Sequence, residues 1–286
     1  MEPYLYLLPT AVVVAAVVVY PLIYTVGLSL FDVNLLQLAR ARFVGLGNYA
    51  DMLGSGTFWH SLGVTAAYTF ATVAVSLMLG LGTALLLTRE FRFRTLARAA
   101  IILPWATPAL PAYMSIHWFL NGQWGMLNNV LYLLTGIDGP VYLNSRWLGL
   151  AANIGAYIWK NLPFWTLILL SGRMAIPQEL YEAAAVDGAS GLRRLTHVTL
   201  PLMANLYIVC VLLDTVFALG DFNATYFVSG GGPAMSTEVL ATLGIRYAYT
   251  VSLPRLGVAE VMTALPVLIP LIFILMRKLR MSEGQL

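Results

Sequence analysis

The sequence predicts an all-α, polytopic integral membrane protein with six transmembrane helices and both termini in the cytoplasm. Three observations predict it. Of 286 residues, 59% are hydrophobic and only 10% are charged, against roughly 25% charged in a soluble domain; mean hydropathy is +0.79. Six apolar stretches reach the roughly 20 helical residues that a bilayer requires. Lys and Arg gather in alternate connections between them, as cytoplasmic loops do. The net charge of +3 marks no basic surface for nucleic acid, and no such partner is implied.

The spans run Leu5–Leu30, Trp59–Thr88, Ala99–Leu120, Leu148–Ser171, Met203–Val228 and Leu256–Met276, making residues 1–286 one transmembrane domain. The first begins beside Glu2 with no basic n-region, and no A-x-A site follows it, so it is expected to be retained rather than cleaved. Arg89, Arg92, Arg94 and Arg98 follow the second span. Arg173, Arg193 and Arg194 follow the fourth, and Arg277, Lys278 and Arg280 the sixth. The opposite side holds Arg40, Arg42, Arg146, Arg246 and Arg255. The third span carries Pro104, Pro108 and Pro111, the fourth Pro163, and the sixth Pro266 and Pro270. Each proline removes a backbone donor, and the freed carbonyl must find another partner. The Pro104–Pro111 cluster favours a distorted helix beside a cavity. The single Cys210 lies in an apolar run and can form no intrachain disulfide; it reads as a small buried hydrophobe.

The loop 173–202 between spans four and five holds the longest polar island, "EAAAVDGASGLRRLTHVTLP" from Glu182 to Pro201. Pro177 suits a helix start, and Glu179 and Glu182 complement the dipole of its early turns. Leu180, Ala183, Ala184 and Asp187 share a face, and Gly188 permits a reversal. A second short helix follows, closed by Pro201 before the next span. An amphipathic loop resting on headgroups would favour a Lys/Arg-rich face with large apolar anchors, whereas the first half here is acidic and alanine-rich. Gly188-Ala189-Ser190-Gly191 matches the G-x-S-G pattern of rhomboid-type intramembrane proteases. Such a serine needs a base within hydrogen-bond reach, but His60, His117 and His197 all lie outside spans five and six. Small side chains on one face of a surface helix instead suit a docked cytoplasmic partner.

The island resembles the EAA loop of binding-protein-dependent ABC importer permeases. Glu182-Ala183-Ala184 is followed by three residues, Gly188, nine residues, and Val198-Thr199-Leu200-Pro201, with valine where isoleucine is usual. The resemblance extends along the chain. "FVGLGNYADML" (Phe43–Leu53) is similar to the extracytoplasmic F-x-G-L-x-N-Y segment, and "WKNLPFW" (Trp159–Trp165) to W-x-x-x-P-F of the fourth span. "YFVSGGGP" (Tyr226–Pro233) is similar to Y-V-L-T-G-G-P, with Ser229 for threonine. Together these resemble maltose-type carbohydrate permeases, on the side of the larger maltose permease without its extra periplasmic domain. The tail "MSEGQL" differs from the G-A-V-K-G-like end of the smaller half.

The resemblance implies the type I ABC importer permease fold in a prokaryotic inner membrane. It also implies a second permease subunit, two cytoplasmic ATPase subunits and an extracytoplasmic solute-binding protein. This chain would carry no cofactor and no catalytic or metal site. It contains no G-x-x-x-x-G-K-[ST] phosphate loop, so ATP and Mg would sit on the partner ATPase. Glu182, Ala183, Ala184, Asp187, Gly188, Leu200 and Pro201 would couple to that ATPase, and Gly230, Gly231, Gly232 and Pro233 would face the binding protein.

Charge inside a span usually faces protein or a water-filled path. Lys160 and Asp214 fall at mid-depth, Asp221 and Glu260 nearer the outer ends. Lys160 and Asp214 could pair to fix packing, or line a pathway. Hydroxyl-binding and ring-stacking groups for a sugar are Asn161, Trp165, Asp221, Asn223 and Tyr226. Glycerol-3-phosphate permeases share these motifs. The alternative is a stand-alone ion-coupled carrier with Lys160, Asp214 and Glu260 as a relay.

Overall fold

A computed structural model describes residues 2–34 and 41–283; Arg40 and the end of the tail lie outside them. The described chain is mainly helical. From the N-terminus, α1 (Glu2–Val14) continues through a wide π turn, Ala15–Val19, into α2 (Tyr20–Ser29). A two-residue hairpin, β1 (Phe31–Asp32) with β2 (Arg42–Phe43), leads to α3 (Gly47–Leu53) and α4 (Gly56–Thr88). Then come α5 (Arg94–Ala106), α6 (Ala109–Phe119), α7 (Met126–Thr135), α8 (Arg146–Met174) and α9 (Gln178–Val186). The chain continues with α10 (Gly191–Arg194), α11 (Leu200–Leu219), α12 (Leu240–Ile245), α13 (Pro254–Met262) and α14 (Leu265–Glu283).

Four helical runs are long and apolar enough to cross a membrane by themselves: Tyr6–Ser29, Gly56–Thr88, Gly191–Leu219 and Pro254–Lys278. The third expected span is not one bent helix. It breaks into α5 and α6, whose axes meet at 95°. Thr107 is extended, with ψ 141°, because the ring of Pro108 crowds the α conformation of its predecessor. The fourth, α8, has the length at 29 residues but is less apolar, since it carries Asn153, Lys160 and Asn161 and buries much of its surface against protein.

Pro201 does not end a helix, contrary to the sequence-based expectation. The run Gly191–Leu219 continues through it. A π turn, Leu195–Thr199, precedes the proline, and the Leu200 N–H reaches back to the Leu195 carbonyl. This widened turn makes room for a ring that an α-helix interior would reject. Pro21 follows the Ala15–Val19 turn in the same way, with the Tyr20 N–H on the Ala15 carbonyl.

The contacts divide into two packing units. The first comprises residues up to Gly63 with Val239–Val267. There α13 packs on α2, α3 and α12, and Gly257 lies so close to the backbone of Gly244 that an added Cβ would meet the Gly244 carbonyl oxygen at 2.5 Å. The F-x-G-L-x-N-Y segment acts as a clasp. Asn48, almost fully buried, donates to the carbonyls of Ser29 and Phe31 at 2.9 Å each, and the Tyr49 hydroxyl donates to Ser29 Oγ. Arg255 adds Asp51 at 2.6 Å and Asp32 at 3.6 Å. The clasp thus satisfies the carbonyl of Ser29, the last residue of α2.

The second unit comprises Val64–Glu238 and the last part of α14, with α8 at its centre packing on α5, α6 and α11. Gly80 lets α4 approach Trp165 of α8 to 3.2 Å from a would-be Cβ. Thr83 and Thr166 join hydroxyls at 2.6 Å one turn away. Small residues and hydroxyl bonds of this kind hold helices together in lipid. Cys210 is buried and serves as packing.

Candidate functional site

Two regions of the second unit carry the chemistry. The first is the loop that begins at Pro177. Its helix α9 ends in a Schellman motif. Gly188 sits at φ +75°, its N–H bonds the Ala185 carbonyl at 3.1 Å, and the Ala189 N–H bonds the Ala184 carbonyl at 2.9 Å. The alanines are therefore the closing turn of the helix as well as its smooth face. On one side, Tyr181 is buried, donates to or accepts from Thr199 Oγ1 at 2.9 Å, and lies under the Arg173 guanidinium 3.7 Å from its ring centroid. On the other, Glu182, Ala183 and Asp187 are exposed, and Val186 is 89% exposed. One face is thus fastened to the membrane helices and the other left open. Leu200 is half-buried and Pro201 exposed in the helix that follows.

Tyr181, Arg173, Thr199 and Val186 were missed by sequence reasoning. Thr199 was legible as the free position of V-T-L-P, and Tyr181 as the large apolar residue next to E-A-A. The Arg173 stack has no local sequence signal.

The second region is a line of polar groups across α4, α6, α8 and α11. Asp214 is fully buried and accepts from the Tyr157 hydroxyl at 2.9 Å. Asp221, just beyond α11, accepts from the Tyr68 hydroxyl at 2.7 Å and from the Ala224 N–H. The rings of Tyr68 and Tyr157 meet edge to face at 6.2 Å, so the two acid–tyrosine pairs are adjacent. Asn161 donates to the Tyr157 carbonyl and faces Tyr113 of α6. Trp165 is buried. Asn223 and Tyr226 are exposed, with Tyr226 stacked on Phe222 at 4.6 Å. Glu260 is buried in α13 of the first unit, its carboxylate beside Gly244.

Lys160 and Asp214 do not pair. The Lys160 ammonium donates instead to three carbonyls at the break between α5 and α6: Pro104 at 2.9 Å, Trp105 at 2.9 Å and Thr107 at 2.6 Å. An ammonium has three donors, and all three are used. The proline cluster frees these carbonyls, and a cation at a helix C-terminus is favoured by the dipole as well. Lys160 is thus a cap for a broken helix, and beside Asp214 the Tyr157 hydroxyl stands where a paired lysine would have stood.

The loop Gly230–Pro233 rests on the start of α8. Gly230 and Gly231 have positive φ, and the Gly232–Pro233 bond is cis. Asn153 donates to Ser229 Oγ at 2.9 Å, which also meets Thr237 Oγ1 at 2.9 Å. Thr237 in turn donates to the Gly232 carbonyl. Ser229 therefore keeps the hydroxyl of the threonine it stands for.

Residues 76–280 match the family described as "Binding-protein-dependent transport system inner membrane component". The trehalose/maltose transport system permease protein MalF of Thermococcus litoralis is 37% identical over 245 residues, 85% of this chain and 82% of that protein. The sulfoquinovosyl glycerol transport system permease protein SmoG of Agrobacterium fabrum is 37% identical over 237 residues, 83% and 77% of the two chains. The trehalose transport system permease protein SugA of Mycobacterium tuberculosis is 35% identical over 223 residues, 78% and 71%. In fold, the chain is similar to a chain of the crystal structure of a bacterial alginate ABC transporter in complex with an alginate pentasaccharide-bound periplasmic protein. That match has TM-score 0.80 at 20% identity and covers 98% of this chain and 93% of the other. A fastened surface helix carrying E-A-A and Gly188, apolar helices, and a family match over most of the length agree: the chain belongs to the inner-membrane components of binding-protein-dependent transport systems and is a multi-pass permease subunit, not an enzyme.

Proposed function

We propose that this permease forms half of the translocation pathway for a sugar or sugar-like solute, driven by ATP hydrolysis on separate cytoplasmic subunits. A second permease would supply the other half, and an extracytoplasmic binding protein would deliver the solute near Gly230–Pro233. The chain would cross the prokaryotic inner membrane six times, counting the broken α5–α6 pair and α8, with both termini inside. The relatives' names concern trehalose, maltose and sulfoquinovosyl glycerol, which supports a carbohydrate. The line of Tyr68, Tyr113, Tyr157 and Asn161 supplies the hydroxyl and amide groups that such a solute would meet.

The observation that carries the coupling role is the two-faced α9. Tyr181 fastens one face, while Glu182, Ala183, Val186 and Asp187 present small and acidic groups on the other. A partner closing on that face would push the whole helix, and Tyr181–Thr199 would pass the push to the run Gly191–Leu219. A photo-crosslinker at Val186 tests this. The expected product joins the chain to the ATPase subunit. Crosslinks to lipid alone would reject the assignment.

A further inference from the structure

A cleft of about 510 Å³ opens behind α9. It is lined by Leu85, Thr88 and Arg89 at the end of α4, Arg173 at the end of α8, Tyr181 of α9, and Leu192, Arg194, Leu195 and Thr199 of the following helix. Three arginines line it and no Asp or Glu does. Arg173 lies over Tyr181, and Arg173 and Arg194 are half-buried. Among the described residues, no Asp or Glu forms an ion pair with any of the three. Neighbouring arginines are differently employed: Arg94 and Arg98 both donate to the Leu87 carbonyl that ends α4. Arg89 and Arg194 have no such task.

We propose that this cleft binds the phosphate of an anionic phospholipid, and that the bound lipid braces the coupling helix against the ends of α4 and α8. Unbalanced guanidinium groups select a phosphate, which they can grip through two parallel hydrogen bonds, and basic pockets between membrane helices take anionic headgroups. Beside Thr88 and Thr199, Leu85, Leu192 and Leu195 give the rest of the lining an apolar strip, with Leu192 71% exposed. That strip suits an acyl chain and gives an acidic protein side chain nothing. The open face of α9, with Glu182 and Val186, is turned to the ATPase, so the cleft behind it is left to the membrane. Placement in the inner leaflet rests on the topology proposed above.

The full chain, purified in neutral detergent with the subunits that accompany it, is titrated with dioleoyl phosphatidylglycerol, dioleoyl phosphatidylcholine or inorganic phosphate and observed by native mass spectrometry. The wild type should retain one phosphatidylglycerol more tightly than the Arg89→Gln/Arg194→Gln variant, by about tenfold for a lost charge-assisted contact. The Arg89→Lys/Arg194→Lys variant should recover part of it, and phosphatidylcholine should not distinguish the proteins. Equal phosphatidylglycerol retention overturns the proposal. Displacement of the lipid by millimolar inorganic phosphate assigns the site to a free anion and overturns the lipid. Loss of the ATPase subunit with lipid retention unchanged makes the cleft a protein contact and also overturns it. A second measurement needs no arginine change: a Leu192→Cys thiol should react with maleimide more slowly in phosphatidylglycerol than in phosphatidylcholine vesicles, and equal rates refute the site. Labelling of a Ser190→Cys variant from the outer side would reject the topology and leave the detergent result standing.

Discussion

Lys160 shows how a charge within a helical membrane protein finds its role. Its three donors meet three carbonyls that the prolines of the third span leave without intrahelical partners. Lys160→Met keeps the length and removes every donor, so three partly buried carbonyls lose their bonds. Each orphaned polar group costs about 1–3 kcal/mol, and a fall of several degrees in the unfolding temperature of the purified protein is expected. Lys160→Arg should lie between, since it retains charge with a different fork. Unchanged melting in the methionine variant would refute the capping role. Asp214 gives a second test. Asp214→Asn keeps an acceptor for the Tyr157 hydroxyl, whereas Asp214→Leu orphans a buried hydroxyl. The leucine variant should be the less stable by about 1–3 kcal/mol in denaturant unfolding. The sequence showed both charges at mid-depth and left open whether they pair or line a pathway. It could not show the true partners, because a backbone carbonyl freed by a helix break carries no residue identity. Only the neighbouring prolines hinted at it.

At the scale of the element, α9 joins a specific spacing to a specific geometry. E-A-A and Gly188 were legible because Gly188 must hold a positive φ at a fixed distance from the alanines that close the turn. A Cβ at Gly188 meets open space, so substitution acts through the backbone and costs about 1–2 kcal/mol. Gly188→Ala should loosen the turn modestly. Gly188→Asp adds a charge beside Asp187 and should leave ATP hydrolysis running while uptake falls at least tenfold, measured together in proteoliposomes. Normal uptake in the aspartate variant would sever the link between this turn and coupling. The helix after the turn was less legible. Pro201 suggested a stop, and the chain instead absorbs it with a π turn and runs on from Gly191 to Leu219. A proline in sequence reports a missing donor, but not whether the preceding turn has widened to accommodate it. The Pro104–Pro111 cluster shows the converse. It suggested distortion and gave a full 95° break, because Thr107 is held extended by the residue after it.

For the whole molecule, the question is where the energy for transport enters. A carrier driven by an ion gradient needs a buried group free to change its charge or partner during the cycle. Lys160, Asp214 and Glu260 were the sequence-based candidates for such a relay. Lys160 has all three donors on helix-end carbonyls, and Asp214 is held by Tyr157 in a separate set of contacts. Releasing the lysine would unfasten the α5–α6 break, so it is placed to hold structure rather than to pass protons. The sequence holds no phosphate loop, and the two-faced α9 is open on the side that bears Glu182 and Val186. Under the proposed function, energy arrives as a mechanical push from another subunit. In vesicles loaded with ATP and supplied with the binding protein, uptake should persist when proton and sodium gradients are collapsed. It should stop when ATP or the binding protein is withdrawn. Uptake that follows the ion gradient and ignores ATP would return the buried charges to the centre of the mechanism and reject the importer.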